Sequence, residues 1–105
     1  MELKNKNLFS EKCLINGNWV KSNSGETIEV NNPATQKIVG SVPKCGKNET
    51  IIAIEAAEKA FINWKQKTAK ERSAILQKWA RLIEANADDL AKIMTIEQGK
   101  PLAEA

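Results

Sequence analysis

The feature that most constrains the fold is a change in hydrophobic period between Pro43 and Asn48. Up to Pro43, short apolar runs alternate with turn-forming residues, which is typical of short β-strands. From Asn48 onward, apolar residues recur at spacings of three and four, the period of an amphipathic α-helix. This order predicts an α/β chain, or an α+β fragment, in which short N-terminal strands precede helices.

The strand region, residues 1–43, is divided by glycine-containing turns. The segment Leu14–Val20 contains Asn16-Gly17, a pair that tolerates the positive φ angles of a type I′ hairpin turn. A second turn is predicted at Ser22–Gly25. We therefore predict three or four short strands, of which the last two are Thr27–Val30 and Lys37–Val42.

The helical region, residues 48–98, is predicted to form two or three amphipathic α-helices. Asn48 is a suitable cap for the first helix. Thr68, followed three residues later by Glu71, has the capping-box pattern at the start of the second. Asn86 marks a break before a third apolar segment. The apolar residues at helical spacing, which we interpret as core residues, are Ile54, Ala57, Phe61 and Trp64 in the first helix and Ile75, Leu76, Trp79, Leu82 and Ile83 in the second.

The C-terminal residues combine a helix stop with a helix start. Gly99 is suited to the position after a helix, where φ is positive. Pro101 is suited to the first turn of a new helix, because its missing N–H would have no partner there. Residues 101–105 are thus predicted to begin a further helix. Five residues cannot form a stable helix alone, so we expect the chain to be the opening of a longer domain.

Composition excludes several classes of function. The chain has no histidine, which removes Cys-His and Ser-His catalytic pairs and most zinc sites. Its five glycines show neither dinucleotide-binding nor P-loop spacing. Cys13 and Cys45 fit no metal-binding spacing and are predicted to be free, partly buried thiols.

Charge and hydropathy indicate which partners and which cellular location to expect. The net charge of +3 is spread along the chain, so no nucleic-acid partner is expected. No apolar run is long enough to span a membrane, and the first ten residues lack the apolar segment of a signal peptide. We therefore expect a cytoplasmic protein with no membrane partner.

A series of short motifs resembles the N-terminus of bacterial succinate-semialdehyde dehydrogenases, a branch of the aldehyde dehydrogenase superfamily. The resemblance extends from about Leu8 to Ala105, and its final motif is the most specific. The motifs are Leu8-Phe9, Leu14-Ile15-Asn16-Gly17 with Trp19, Asn32-Pro33-Ala34, Gly40-Ser41-Val42-Pro43-Lys44, Thr68-Ala69-Lys70-Glu71-Arg72 and Met94-Thr95 followed by Glu97-Gln98-Gly99-Lys100-Pro101-Leu102-Ala103-Glu104-Ala105.

The resemblance implies NAD(P)-dependent oxidation of succinate semialdehyde to succinate, with NADP favoured over NAD. In this family a cysteine thiolate attacks the aldehyde, hydride passes to the nicotinamide, and a glutamate acts as base. The family's catalytic and cofactor motifs lie downstream of the Gly99-Lys100-Pro101 ending. Neither Cys13 nor Cys45 lies in a sequence that resembles the catalytic-cysteine motif. The resemblance therefore assigns no catalytic and no cofactor-binding residue to this chain, and residues 1–105 are expected to be the incomplete opening part of the cofactor domain.

One family site does map onto the chain. Some members bind a structural monovalent cation through backbone carbonyls before the Asn-Pro turn and an acidic residue near the Gly-Lys segment. The matching positions are Val30, Asn31 and Glu97. Oxygen ligands suit a hard cation, but Glu97 is also an ordinary residue for a helix end.

Two hypotheses of different class follow. The first is a truncated succinate-semialdehyde dehydrogenase that is inactive alone, binds neither NADP nor NAD alone, and exposes apolar surface that favours self-association. The second is a stand-alone helical interaction module, or a complementing fragment, that uses the Ile54–Trp64 or Ile75–Ile83 face to bind a partner such as a downstream polypeptide.

Overall fold

The computed structural model describes residues 1–105 and confirms the predicted fold class: short antiparallel strands precede three helices. Its elements are a 3₁₀ turn at Lys6–Leu8, strands β1 (Cys13–Ile15), β2 (Asn18–Val20), β3 (Thr27–Asn31) and β4 (Ile38–Pro43), and helices α1 (Lys47–Trp64), α2 (Ala69–Ala85) and α3 (Ala87–Gln98). Residues 101–105 form a single turn, in which the Pro101 carbonyl accepts hydrogen bonds from the Glu104 and Ala105 amides.

The strands form two separate two-stranded antiparallel sheets, β1–β2 and β3–β4. Asn16 and Gly17 connect the first pair with φ angles of 51° and 76°, so the predicted type I′ turn is confirmed. In the second pair Val30 pairs with Gly40 and Asn31 pairs with Ile38, so Val39 of β4 has no partner and forms a bulge opposite the end of β3. Each sheet has only two strands and therefore cannot enclose a core by itself.

The start of α1 differs from the prediction. Gly46, not Asn48, is the N-cap, and its extended backbone has φ −111° and ψ −158°. The carboxylate of Glu49, three residues later, accepts a hydrogen bond from the Gly46 amide. Because this acidic side chain satisfies the cap residue's own N–H, the helix begins before Asn48 and needs no side-chain acceptor from it.

The other predicted helix boundaries are confirmed. Thr68 caps α2, with its Oγ1 accepting a hydrogen bond of 3.2 Å from the Glu71 amide. Asn86 ends α2 and is also the N-cap of α3. Gly99 follows α3 with φ 83°, and its amide donates to the Thr95 carbonyl. None of the three helices combines the length and hydropathy that a membrane span requires.

The chain has no hydrophobic core. Only four residues are buried, and none of them is a large apolar residue: Ser22, Pro43, Glu49 and Asp89. The accessible surface is 8420 Å², against about 5,800 Å² for a compact monomer of this mass. The radius of gyration is 16.6 Å, against about 13 Å for a compact domain of this length. Roughly 2,600 Å² more surface is exposed than in a compact monomer.

Two exposed apolar surfaces account for much of this excess. We define the α1 face as Ile54, Ala57, Phe61 and Trp64, and the α2 face as Ile75, Leu76, Trp79, Leu82 and Ile83. Trp79 is 63% exposed and Phe61 is 57% exposed. These residues do not form a core within this chain: all are exposed except Trp64, which is half-buried. The predicted exposure of apolar surface by the chain alone is thus confirmed.

Candidate functional sites

The predicted cation-binding residues lie on two elements. Val30 is half-buried and Asn31 is exposed, and both lie at the end of β3, opposite the bulge in β4. Glu97 is exposed in the last turn of α3, and its carboxylate forms no ion pair. The register between the two strands changes at the two residues whose carbonyls are the predicted ligands.

The turn after β3 and the end of α3 are in contact. A Cβ built on Gly99 would lie 3.0 Å from Pro33 Cγ, so the ring of Pro33 packs closely against Gly99. The turn itself is held by Asn32, whose Oδ1 accepts a 2.9 Å hydrogen bond from the Ala34 amide. The structure therefore brings Pro33, which follows Val30 and Asn31 in the chain, into contact with Gly99, two residues after Glu97.

A buried carboxylate anchors the N-terminal residues to α3. Asp89 Oδ1 accepts a 3.0 Å hydrogen bond from the Lys4 amide, and its Oδ2 accepts one of 2.8 Å from the Asn5 amide. These two hydrogen bonds lower the pKa of Asp89, and the positive charges of Lys92 and Lys4 add to the effect. This anchor was not predicted, although Asp89 lies in the first turn of a helix, where a negatively charged side chain is favoured.

We expect the Asp89 anchor to open at acid pH. Because the folded-state pKa lies below its ordinary value of about 3.9, the anchor stabilises the fold above that value and is lost as pH falls through the folded pKa. Amide hydrogen exchange at Lys4 and Asn5 should therefore accelerate at acid pH, beyond the intrinsic trend measured in an unstructured peptide.

The matched variants are Asp89→Asn and Asp88→Asn. Asp89→Asn replaces one acceptor oxygen by an NH2 group, so it should reduce the protection of at least one of the two amides already at neutral pH. Asp88 is exposed and pairs only with the exposed Lys4 ammonium, at 3.1 Å, so its variant should keep the protection. Equal protection in both variants would contradict the anchoring role.

The two cysteines are neighbours in space. Cys13 Sγ and Cys45 Sγ are 3.9 Å apart, and both residues are free and half-buried, as predicted. Desolvation raises the pKa of Cys45, and the nearby Cys13 and Glu49 raise it further. A raised pKa keeps the thiol protonated, which is unfavourable for a nucleophile at neutral pH. The environment of Cys45 thus agrees with the absence of a predicted catalytic role.

Comparison with known proteins identifies the family. Residues 19–105 match the family model described as "Aldehyde dehydrogenase family". The chain is 55% identical over its full length to glutarate-semialdehyde dehydrogenase of Pseudomonas putida and 53% identical to succinate-semialdehyde dehydrogenase [NADP(+)] of Escherichia coli. It spans 22% of the length of each of these two relatives.

Solved structures agree with this similarity. The crystal structure of succinate-semialdehyde dehydrogenase from Burkholderia pseudomallei superposes with a TM-score of 0.95 and 51% identity, over 99% of this chain and 22% of that one. A betaine aldehyde dehydrogenase from Staphylococcus aureus superposes with a TM-score of 0.85 and 33% identity, over 90% of this chain. By sequence and by fold, this chain belongs to the aldehyde dehydrogenase family.

Proposed function

We propose that the chain is the N-terminal part of a cytoplasmic, NADP-dependent dehydrogenase that oxidises succinate semialdehyde to succinate. The observation that carries the proposal is the 53% identity, over all 105 residues, to the NADP(+)-dependent succinate-semialdehyde dehydrogenase of Escherichia coli. In this reaction the aldehyde carbon loses a hydride to the nicotinamide and gains an oxygen from water.

The relatives define a chemical class of substrate around this proposal. Two are glutarate-semialdehyde dehydrogenases from Pseudomonas, and another from Pseudomonas putida is a 3-sulfolactaldehyde dehydrogenase. Succinate semialdehyde, glutarate semialdehyde and 3-sulfolactaldehyde are all short aldehydes with an anionic group at the other end. We propose succinate semialdehyde as the substrate, and glutarate semialdehyde is the competing outcome of the test below.

The contribution of these 105 residues is structural. We propose that the α1 and α2 faces pack against the remaining part of the dehydrogenase and brace its cofactor domain. The chain exposes roughly 2,600 Å² more surface than a compact monomer of its mass. This exceeds the total area of about 1,600 Å² that a standard stable interface buries, which supports a packing role. By itself the chain is proposed to bind no NADP or NAD and to be inactive.

A chimaeric enzyme tests the proposal. In it, this chain replaces the matching 105 residues of the Escherichia coli relative, and NADPH formation is followed with succinate semialdehyde and with glutarate semialdehyde. We expect NADPH formation by the chimaera and none by the 105-residue chain alone.

The controls separate folding from chemistry. The Escherichia coli enzyme without the matching residues should be insoluble or inactive, because the surface that the chain covers would be exposed. NADPH formation by the isolated chain, or a folded chimaera that oxidises neither aldehyde, would refute the proposal. A chimaera that prefers glutarate semialdehyde would keep the enzyme class and change the substrate, provided that the Escherichia coli enzyme itself prefers succinate semialdehyde.

The second candidate is a complementing module. The same α1 and α2 faces that support the first proposal would allow a separately produced downstream polypeptide to dock on this chain. Co-expression of the chain with the downstream part of the Escherichia coli enzyme distinguishes the two candidates. If both polypeptides co-purify and form NADPH, the complementing module is supported. If only the covalent chimaera is active, the first proposal is supported, in which this chain is the N-terminal part of a single dehydrogenase polypeptide.

We also propose that the carbonyls of Val30 and Asn31 and the carboxylate of Glu97 bind a monovalent cation in the complete enzyme. The change of register beside Val30 and Asn31 and the contact between Pro33 and Gly99 support this proposal. Sodium or potassium should raise the melting temperature of the chimaera, and Glu97→Ala should reduce that increase. The site is refuted if neither ion raises the melting temperature, or if Glu97→Ala leaves the increase unchanged. Glu104→Ala is the control for loss of a surface charge.

A further inference from the structure

The two thiols lie at the junction between the strand region and the helical region. Cys13 is the first residue of β1, opposite Val20 in β2. Cys45 lies between the end of β4 at Pro43 and the N-cap of α1 at Gly46. The residues are 32 positions apart in the sequence, yet their sulfur atoms are 3.9 Å from each other. A bond between them would join the β1–β2 hairpin to the start of α1.

A disulfide requires the two sulfur atoms to move closer together. A disulfide bond is about 2.05 Å long, so the sulfur atoms need to approach by about 1.9 Å. Cys45 belongs to no helix or strand, and Cys13 is at a strand end. Rotation of the two side chains, with a small shift of the connection between Pro43 and Gly46, is the least costly way to supply this movement.

Cys45 also borders solvent. A shallow depression beside it is lined by polar and charged residues, which include Glu26, Lys44, Lys47 and Glu49. A small polar oxidant can therefore reach the Cys45 thiol. Both cysteines are half-buried.

We propose that Cys13 and Cys45 are a reversible oxidation site, at which a peroxide converts the two thiols to an intramolecular disulfide. Each thiol loses one proton and one electron, and the S–S bond forms as the O–O bond of hydrogen peroxide breaks. The peroxide accepts both electrons and both protons and leaves as two water molecules. A dithiol reductant reverses the reaction. In a reducing cytoplasm such a disulfide is transient and forms when peroxide is present.

The rate should rise with pH. The raised pKa of Cys45 keeps its thiol protonated at neutral pH, and the thiolate is the reactive form. The groups that face it are Cys13 on β1 and Glu49 on α1, and Lys44, Lys47 and Glu26 border the same depression. Glu49→Gln keeps a hydrogen-bond acceptor for the helix cap and removes the negative charge, so this variant should oxidise faster than the natural chain at neutral pH.

The test is disulfide formation in the 105-residue chain in glutathione redox buffers. After alkylation of free thiols, trypsin should release the peptides 13–21 and 45–47 as one disulfide-linked species, because lysine precedes each cysteine and ends each peptide. The ratio of linked to free peptides gives the effective concentration of one thiol at the other. The same measurement in concentrated guanidinium chloride gives the value for the unfolded chain.

We expect the effective concentration to be more than about tenfold higher in native buffer than in denaturant, since a flexible linker alone gives values near millimolar. Cys13→Ser and Cys45→Ser should give only mixed disulfides with glutathione. The same ratio is measured in the chimaeric enzyme, in which the rest of the domain covers the exposed faces. A ratio near one in both proteins overturns the proposal, and because this readout does not depend on catalysis, its failure is distinct from failure of the proposed function.

Discussion

Trp79→Ala is expected to have a small effect on the stability of the isolated chain and a large one on that of the chimaeric enzyme. In the isolated chain Trp79 is 63% exposed, so its loss removes little packing, and alanine favours the helix. The stability should change by less than about 0.5 kcal/mol, and self-association through the α2 face should decrease. In the chimaera, where the proposal buries this side chain, the same change should cost about 3–5 kcal/mol in the free energy of unfolding.

Urea denaturation of the chimaera measures the cost, and sedimentation of the isolated chain measures self-association. Lys78→Ala is the matched control, since it removes a neighbouring α2 side chain that lies outside the apolar face. It should leave both quantities nearly unchanged. A chimaera that tolerates Trp79→Ala as well as Lys78→Ala would contradict the packing role of the α2 face.

Oxidation of Cys13 and Cys45 is expected to stabilise the chimaeric enzyme by up to about 3–4 kcal/mol. The bond would close a loop between residues 32 positions apart. In the chain-entropy model, a loop of this length lowers the entropy of the unfolded chain, and this loss destabilises the unfolded state by about 3–4 kcal/mol at 25 °C. The increase should appear as a higher urea midpoint after peroxide treatment and should disappear on reduction.

The single variants Cys13→Ser and Cys45→Ser show whether this gain comes from the intramolecular bond. Neither variant can form it, so peroxide treatment should not raise the urea midpoint of either. Equal stabilisation of a single variant and the natural chain would mean that oxidation at another position causes the effect. Destabilisation of the oxidised chimaera would mean that closing the 3.9 Å distance between the sulfur atoms strains the native fold. The cost of that strain would then exceed the stabilisation from the lower entropy of the unfolded chain.

The features that could be predicted from sequence depend on a few adjacent residues. Asn16-Gly17 specifies its turn through positive φ angles, and Thr68 with Glu71 specifies the start of α2. Gly99 specifies the end of α3 in the same way. In each case the backbone conformation and its hydrogen-bond partner lie within four residues, so pattern and propensity contain the answer.

The features that could not be predicted depend on distant residues or on competing local ones. Asp89 binds the Lys4 amide 85 positions away, and the two cysteines are brought together by the arrangement of β1 and α1. The α1 cap was assigned to Asn48 because asparagine is a good cap, but the Glu49 carboxylate satisfies Gly46 instead. The exposure of the apolar faces also depends on which parts of the protein surround them.

The Asp89 anchor sets an order of events during synthesis. The amides of Lys4 and Asn5 are among the first groups made, and their acceptor follows 84 or 85 residues later. At translation rates of about 5–20 residues per second, the first residues wait roughly 4–17 s for their partner. Throughout that interval the N-terminal segment stays unattached to α3, because its acceptor has not yet been made.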